Sequence, residues 1–179
     1  MKKILRFKST ARPGSTLIEI LLYLVIFSII ITTISYFAVV SGSSRVRGEI
    51  VTEIDYQGIA IIDLVTQSVR NSTSISQPAA NTSASSLTLT TQTPSLNPTI
   101  FDSQSDGTTT RTRITEGLPP VNNYLTNSHV NITNLTFTNV KVTGSNDSIQ
   151  IRFTLTYRNP SGRKDFDYQK TFYGAATRR

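Results

Sequence analysis

The chain has 179 residues, no cysteine and one histidine, which excludes disulfide frameworks, thiolate metal sites, cysteine nucleophiles and sites built from several histidines. Its net charge of +7 is unevenly placed: residues 1–14 carry five basic side chains and no acid, and the remainder carries 13 basic and 11 acidic side chains. The high charge therefore gives no argument for a nucleic-acid-binding body. The 48 Ser and Thr residues and the low charged fraction of 16% favour an exported or surface-exposed domain.

A long apolar segment follows the basic N-terminus and predicts a transmembrane helix. Residues 15–40 contain one charged side chain, Glu19, and neither glycine nor proline. A helix of these 26 residues would be about 39 Å long, more than the ~30 Å hydrocarbon core of a bilayer. Because the positive charges precede it, we expect the N-terminus to stay in the cytoplasm and the residues after about 41 to lie outside.

A cleaved secretory signal and a plain signal anchor account for this segment less well. A cleaved signal has an apolar region of about 7–15 residues ending in small residues, and this segment is longer and lacks such a site. A plain signal anchor accounts for the charges and the length. It does not account for Glu19, because a carboxylate inside an apolar span is costly and usually has a partner.

The residues at the start of the segment form a more specific pattern. Residues 12–19 read RPGSTLIE, so that a short basic leader ends at Gly14, Ser15 follows, and Glu19 is fifth after the glycine. On these residues the chain resembles the prepilins, the precursors of type IV pilins and of the pseudopilins of type II secretion and DNA-uptake machines. In that family a glycine precedes the cleaved bond, the first mature residue is methylated, and the fifth is glutamate. Ser15 stands where the family most often has phenylalanine.

The resemblance implies how the chain is processed and what it binds. It implies cleavage after Gly14 by the membrane prepilin peptidase, N-methylation at Ser15 and an assembly contact made by Glu19. The implied partners are other pilins or pseudopilins, the inner-membrane platform protein and, indirectly, the assembly ATPase. The protein would then be the substrate of an enzyme and not an enzyme, and no cofactor is expected.

Elementary electrostatics explains why the cleaved bond and Glu19 would lie so close together in the sequence. Cleavage after Gly14 would remove all five leader charges and leave a new α-amine at Ser15. In a low-dielectric environment that amine and the Glu19 carboxylate of another subunit would offset each other's desolvation and set the axial register of two helices. Glu19 also lies in the first helical turns, where the macrodipole favours an anion.

The helix is predicted to continue beyond the apolar segment, from 41 to 70, with a one-sided stripe. Glycines 42, 48 and 58 are expected to be soft points where it can bend. One helix over 15–70 would be roughly 84 Å long. The stripe, at helical spacings, consists of Val46, Ile50, Ile54, Ile61, Val65 and Val69.

The remaining chain predicts a β-rich head. Residues 71–86 are predicted to be a linker loop, followed by a head spanning 87–179. Strands are expected at 86–90, 130–137 and 149–157, which alternate, at 108–115, which is β-prone but polar, and at 165–173. The prolines between 92 and 128 favour irregular loops there. The predicted fold class is α+β and pilin-like: a long N-terminal helix whose amphipathic half covers one face of a C-terminal antiparallel sheet. The final hairpin looks most like the J-type minor pseudopilins.

No catalytic motif accompanies these elements. His129 and the pair Asp165/Asp167 are interpreted as ordinary surface residues. Residues 102–107 match the first half of a twelve-residue calcium-binding loop through Asp102 and Asp106. The residue at position twelve of such a loop is not glutamate here, so a plain turn is preferred and no metal site is predicted. Arg111 and Arg113 are a small basic pair that would suit phosphate in a DNA-uptake filament, although a solvated strand face is preferred.

The sequence thus predicts a structural subunit, a minor pilin or pseudopilin of a type IV pilus-like or type II secretion-like filament. Before assembly it would be a single-pass protein of the cytoplasmic membrane with its head outside, and afterwards part of a cell-surface or periplasmic filament. Two alternatives remain open: an adhesin or DNA-binding module carried by the filament, and a bitopic surface protein that never assembles.

Overall fold

The computed structural model describes residues 16–141 and 144–179, apart from the side chain of Asp165. Its first element is helix α1, Leu17–Asn71, and the chain divides at Ser43 into two units. The first unit contains the apolar part of the helix. The second unit, from Ser44 onward, contains the amphipathic part and all the strands of the described chain.

The amphipathic part of α1 forms because its apolar residues recur at helical spacing. Ile54 and Val69 are fully buried, and Ile50, Ile61 and Val65 nearly so, whereas Val46 packs at the edge of the core. The predicted stripe is therefore confirmed as the face that packs on the sheets. Gln57 and Gly58 are buried on the same face. The helix ends at Asn71, within one residue of the expected end.

The strands of the head form two antiparallel sheets. The first is five-stranded in the order β1-β3-β4-β5-β6, and the second is four-stranded in the order β2-β7-β8-β9. Both sheets and the helix contribute side chains to one hydrophobic core. The α+β, pilin-like fold class is thus confirmed, with two sheets in place of the single one expected. In chain order the strands are β1 Ser72–Gln77, β2 Ser83–Ala84, β3 Leu87–Thr91, β4 Thr99–Ser105, β5 Thr110–Glu116, β6 Val121–Tyr124, β7 Val130–Val140, β8 Ser148–Tyr157 and β9 Gln169–Thr177.

Alternation of apolar and polar residues explains the strands that were predicted well. In β8, Ile149, Ile151, Phe153 and Leu155 point into the core, and Gln150 and Arg152 point to solvent. Period-two burial of this kind places one face of a strand on a core and the other in water. β7 and β3 follow the same rule.

The predicted linker over 71–86 is wrong in part, because β1 occupies Ser72–Gln77 and the short β2 occupies Ser83–Ala84. Among the described strands, β1 lies at the edge of the five-stranded sheet and pairs with β3. Most of its side chains are exposed, so backbone hydrogen bonds, together with a bond from Thr73 Oγ1 to the Thr90 carbonyl (2.9 Å), hold it in place. A strand that buries little apolar surface leaves no alternating pattern to read.

The irregular loops predicted between 92 and 128 are wrong where β4 and β6 lie, whereas β5 confirms the strand predicted at 108–115. The prolines bound these strands and do not interrupt them: Pro98 directly precedes β4, and Pro119 and Pro120 lie between β5 and β6. Proline is tolerated at such positions because no ladder hydrogen bond is lost. Threonines such as Thr99 and Thr112 occupy inward positions beside Phe101 and Ile114, which hides the apolar pattern.

The last strand is displaced along the chain from its predicted place. It was expected at 165–173 and lies at Gln169–Thr177, after a 3-10 turn at Lys164–Phe166. The C-terminal part of the strand consists of small residues, because helix α1 packs closely on it. A β-carbon on Gly174 would lie 3.0 Å from Ile62 Cγ2 of the helix. Lys170 Nζ in the same strand contacts Asp55 Oδ1 of the helix at 2.7 Å, and this hydrogen bond raises the Lys170 pKa.

Gly58 has a different role from the bend that was expected. The helix is continuous through it, and the ring of Phe172 from β9 lies against its α-carbon. A β-carbon at 58 would overlap that ring, whereas one at Gly48 would meet no atom within 4 Å. Phe172 also stacks on Phe153 with ring centroids 5.3 Å apart. Glycine at 58 is therefore explained by close packing of β9 on the helix.

Candidate functional site

Glu19 lies in the first turn of α1. Its backbone N–H donates to the Thr16 carbonyl at 2.9 Å, and that of Ile20 donates to the same oxygen at 3.2 Å. Glu19 is thus in the first turn, where the positive end of the helix dipole favours an anion. The predicted position of Glu19 in the first helical turns is confirmed.

Tyr23 holds the Glu19 carboxylate on the helix surface. Its hydroxyl donates to Glu19 Oε1 at 3.2 Å, across the i,i+4 spacing that places two side chains on one helical face. Glu19 is half-buried, whereas Ile18 beside it is 75% exposed. Sequence reasoning missed this contact, although a tyrosine four residues after a lone glutamate in an apolar segment was a readable signal.

The apolar part of α1 has no cover in the described chain. It is long and apolar enough to cross a membrane, by length and composition, and none of its most apolar window is buried. Leucine, isoleucine, valine and phenylalanine side chains are exposed on all sides from Leu17 to Val40. A helix that is apolar all round requires lipid or other helices around it.

Gly14 and Ser15, the residues predicted to flank the cleaved bond, lie outside the described residues. The predicted cleavage and the N-methylation at Ser15 therefore stay predictions. Within the described part, Glu19 is the predicted site residue that the structure places, with Tyr23 as its neighbour.

The basic pair of β5 is held by neighbouring side chains. Arg113 binds Asp102 through two hydrogen bonds, Nε to Oδ1 at 2.9 Å and Nη2 to Oδ2 at 2.5 Å, which raise the pKa of the guanidinium. Arg111 lies 3.7 Å from the centre of the Tyr124 ring, and its Nε lies 3.8 Å from Asp106 Oδ2. Both arginines stabilise the sheet surface, which fits the preferred interpretation of a strand face better than phosphate binding.

Asp106 forms the turn between β4 and β5. Its Oδ1 accepts hydrogen bonds from the backbone N–H groups of Thr108 (2.9 Å) and Thr109 (2.8 Å), and Gly107 has a positive φ of 86°. These bonds favour the charged form and lower the pKa of the carboxyl. With Asp102 bound to Arg113 and Asp106 closing the turn, the partial calcium-loop pattern is accounted for by a plain turn.

Because its pKa is lowered in the folded state, Asp106 contributes stability that is present above its ordinary pKa of 3.8 and is lost as the pH falls through the folded value. We expect Asp106→Asn to lower the thermal midpoint of the full chain in detergent at pH 7, and the difference from wild type to shrink as the pH falls below about 3.8. Melting followed by near-ultraviolet circular dichroism tests this. Asp167→Asn, on an exposed loop, is the matched control; a pH-independent deficit for Asp106→Asn would contradict the prediction.

The remaining predicted surface residues lie at the opposite end of the four-stranded sheet from the β7–β8 turn. His129 is exposed in the turn before β7, as expected, and its ring stacks on Tyr157 with centroids 6.3 Å apart. Asp167 is exposed beside the 3-10 turn, and the side chain of Asp165 is outside the described part of the chain. His129 and Asp167 belong to the second unit, whereas Glu19 belongs to the first.

No family model, no curated protein and no solved structure matches this chain.

Proposed function

We propose that this chain is a structural subunit, a minor pilin or pseudopilin, of a type IV pilus-like or type II secretion-like filament. The observation that carries the proposal is Glu19: a lone half-buried carboxylate in the first turn of an apolar helix, preceded by glycine and a five-charge basic leader. Tyr23 satisfies only part of its hydrogen-bonding capacity, so a cationic partner at the same place stabilises it further.

The proposed role assigns a task to each part of the chain. Prepilin peptidase hydrolyses the bond between Gly14 and Ser15, and methylation follows at the Ser15 amine. Glu19 of one subunit then pairs with the Ser15 amine of its neighbour, while the platform protein and the assembly ATPase drive subunits out of the membrane. The uncovered apolar helix supports this role, because a bundle of identical helices would cover it after it leaves the lipid.

The decisive experiment is mass spectrometry of the intact chain and of its N-terminal peptide, from the native membrane and from sheared surface material. We expect a chain that begins at methylated Ser15 in both fractions. Gly14→Val is the matched control, since a bulky residue at that position should leave the leader attached. A chain that still begins at Met1 would overturn the proposal and favour a bitopic surface protein that never assembles.

A further inference from the structure

A groove of about 480 Å³ lies beside the first turns of the amphipathic part of α1. One wall is the helix, with Glu49 and Glu53, and the opposite wall carries aromatic rings. Those rings form a row, with centroids 6.3 Å apart from the first to the second and 6.2 Å from the second to the third. In order they are His129, Tyr157 and Phe166. Carboxylates facing aromatic rings form a site that suits a cation.

The two glutamates are held differently. Glu53 Oε1 accepts hydrogen bonds from Asn127 Nδ2 at 2.7 Å and from Gln57, which fix the carboxylate at the groove wall. Glu49 contacts Arg45 Nε at 3.2 Å, and both of these side chains are largely exposed. An exposed pair of this kind is weak and exchanges readily for another cation.

The chain's own arginines already gather at this groove. Arg45 lies on Glu49, and the Arg163 guanidinium lies 5.4 Å from the centre of the Phe166 ring. Guanidinium groups bind carboxylates through paired hydrogen bonds and stack on ring faces, which is why this combination of groups favours arginine over lysine.

Basic side chains also gather at the other end of the same helix. Arg70 is exposed in its last turn, and Arg179 lines with it a cavity of about 300 Å³. Asp63 lines that cavity too, and Arg178 donates to the Thr73 carbonyl beside it. Glu49 and Arg70 are 21 residues apart, which corresponds to about 32 Å along the helix.

We propose that the groove of one copy binds Arg70 of a second copy, with Arg179 beside it. The inference rests on the proposed function, since it concerns contacts between heads in the filament. The two surfaces are different and lie about 32 Å apart on one helix, so the contact is head-to-tail. A contact between different surfaces repeats from copy to copy and builds an open helical filament, whereas a contact between identical surfaces stops at a dimer.

Cysteine cross-linking tests this directly, because the chain contains no cysteine of its own. The full chain with Arg45→Cys, one turn before Glu49, and Gln67→Cys, one turn before Arg70, keeps both charged groups of the contact; it is produced in its native host, oxidised on the cell surface and separated without reductant. We expect a ladder of multimers that collapses to monomer on reduction. A disulfide within one chain is excluded, since its two α-carbons must lie within about 7 Å.

Matched variants make the result specific. Each single substitution should give no ladder, because a head-to-tail contact needs both positions. Arg152→Cys replaces Gln67→Cys in the control pair; Arg152 is exposed on β8, outside the proposed contact, and should give no ladder with Arg45→Cys. Arg45 and Gln67 are exposed, so their replacement should leave the fold intact.

The outcomes separate the two proposals. If the chain begins at Ser15 and enters filaments but the 45/67 pair forms no ladder, the head-to-tail contact is overturned and the proposed function stands. A ladder from the 45/152 pair at equal strength also overturns it. If the chain begins at Met1 and no filament contains it, the proposed function is overturned, and the head-to-tail contact that rests on it is overturned as well.

Discussion

Replacing Glu19 with alanine is expected to remove the chain from surface filaments while leaving it inserted in the membrane. The α-amine of a neighbouring Ser15 would lose its counter-charge in a low-dielectric environment. Breaking such a buried pair by removing one partner costs about 3–5 kcal/mol. At a factor of ten per ~1.4 kcal/mol, incorporation should fall more than about 100-fold. Quantitative immunoblots of sheared filaments against membranes measure this ratio.

Tyr23→Phe is the matched control for that variant. It removes the hydroxyl that donates to Glu19 Oε1 but keeps the carboxylate and the apolar ring. Since a single hydrogen bond to a charged group contributes about 1.5–3 kcal/mol at most, we expect a smaller loss than for Glu19→Ala. Alanine is a better helix former than glutamate, so Glu19→Ala keeps the helix. Normal incorporation of processed Glu19→Ala would show that Glu19 has no part in assembly.

Replacing Gly58 with alanine is expected to destabilise the head, although alanine normally stabilises a helix. The added methyl group would overlap the ring of Phe172, which is itself fixed by stacking on Phe153. Overpacking of this kind costs about 1–3 kcal/mol and exceeds the roughly 1 kcal/mol that alanine gains over glycine in a helix. Thermal melting of the full chain in detergent should show a lower midpoint.

Two further variants isolate the cause. Gly48→Ala adds the same methyl group in the same helix where nothing lies within 4 Å, and it should raise the midpoint or leave it unchanged. Phe172→Leu should partly rescue Gly58→Ala, because a smaller side chain vacates the space, so the double substitution would cost less than the sum of the two. An equal response of positions 48 and 58 would contradict the packing explanation.

The amphipathic half of the helix was predicted almost residue by residue because its signal is local. Ile50, Ile54, Ile61, Val65 and Val69 recur at the helical period, and that period alone identifies the face that must be buried. β8 was predictable for the same reason, with a period of two. Such a pattern shows which face of an element is buried, and it does so without any knowledge of the element that packs on that face.

The polar strands β1, β4 and β6 were not predicted, because their stability comes from partners elsewhere in the chain. β1 is held by the backbone of β3, β4 is joined to β5 by the Asp102–Arg113 pair, and β6 by the stacking of Arg111 on Tyr124. Threonine is common both in the strands and in the loops of this chain. The residues around a threonine therefore do not show whether that threonine faces the core.

The candidate site likewise has residues that the sequence predicted and residues that only the structure brought together. Glycine, serine and glutamate at 14, 15 and 19 are visible as a motif, and the structure adds Tyr23 beside the glutamate. The groove with Glu49 and Glu53 was not foreseen, since its aromatic wall comes from residues about 80 to 115 positions later. Gly58 was visible as a glycine, but the reason for it is a ring that lies 114 positions further along.

Local order along the chain was enough to establish a basic N-terminal segment, an apolar helix with one carboxylate, an amphipathic continuation and an antiparallel β-rich head. These follow from the period of side chains and from the cost of charge in apolar surroundings. Tertiary structure alone decided that the head has two sheets, that Phe172 packs on Gly58, and that carboxylates and rings meet in one groove. Contacts across long loops depend on how whole elements pack, and no short stretch of residues encodes that packing.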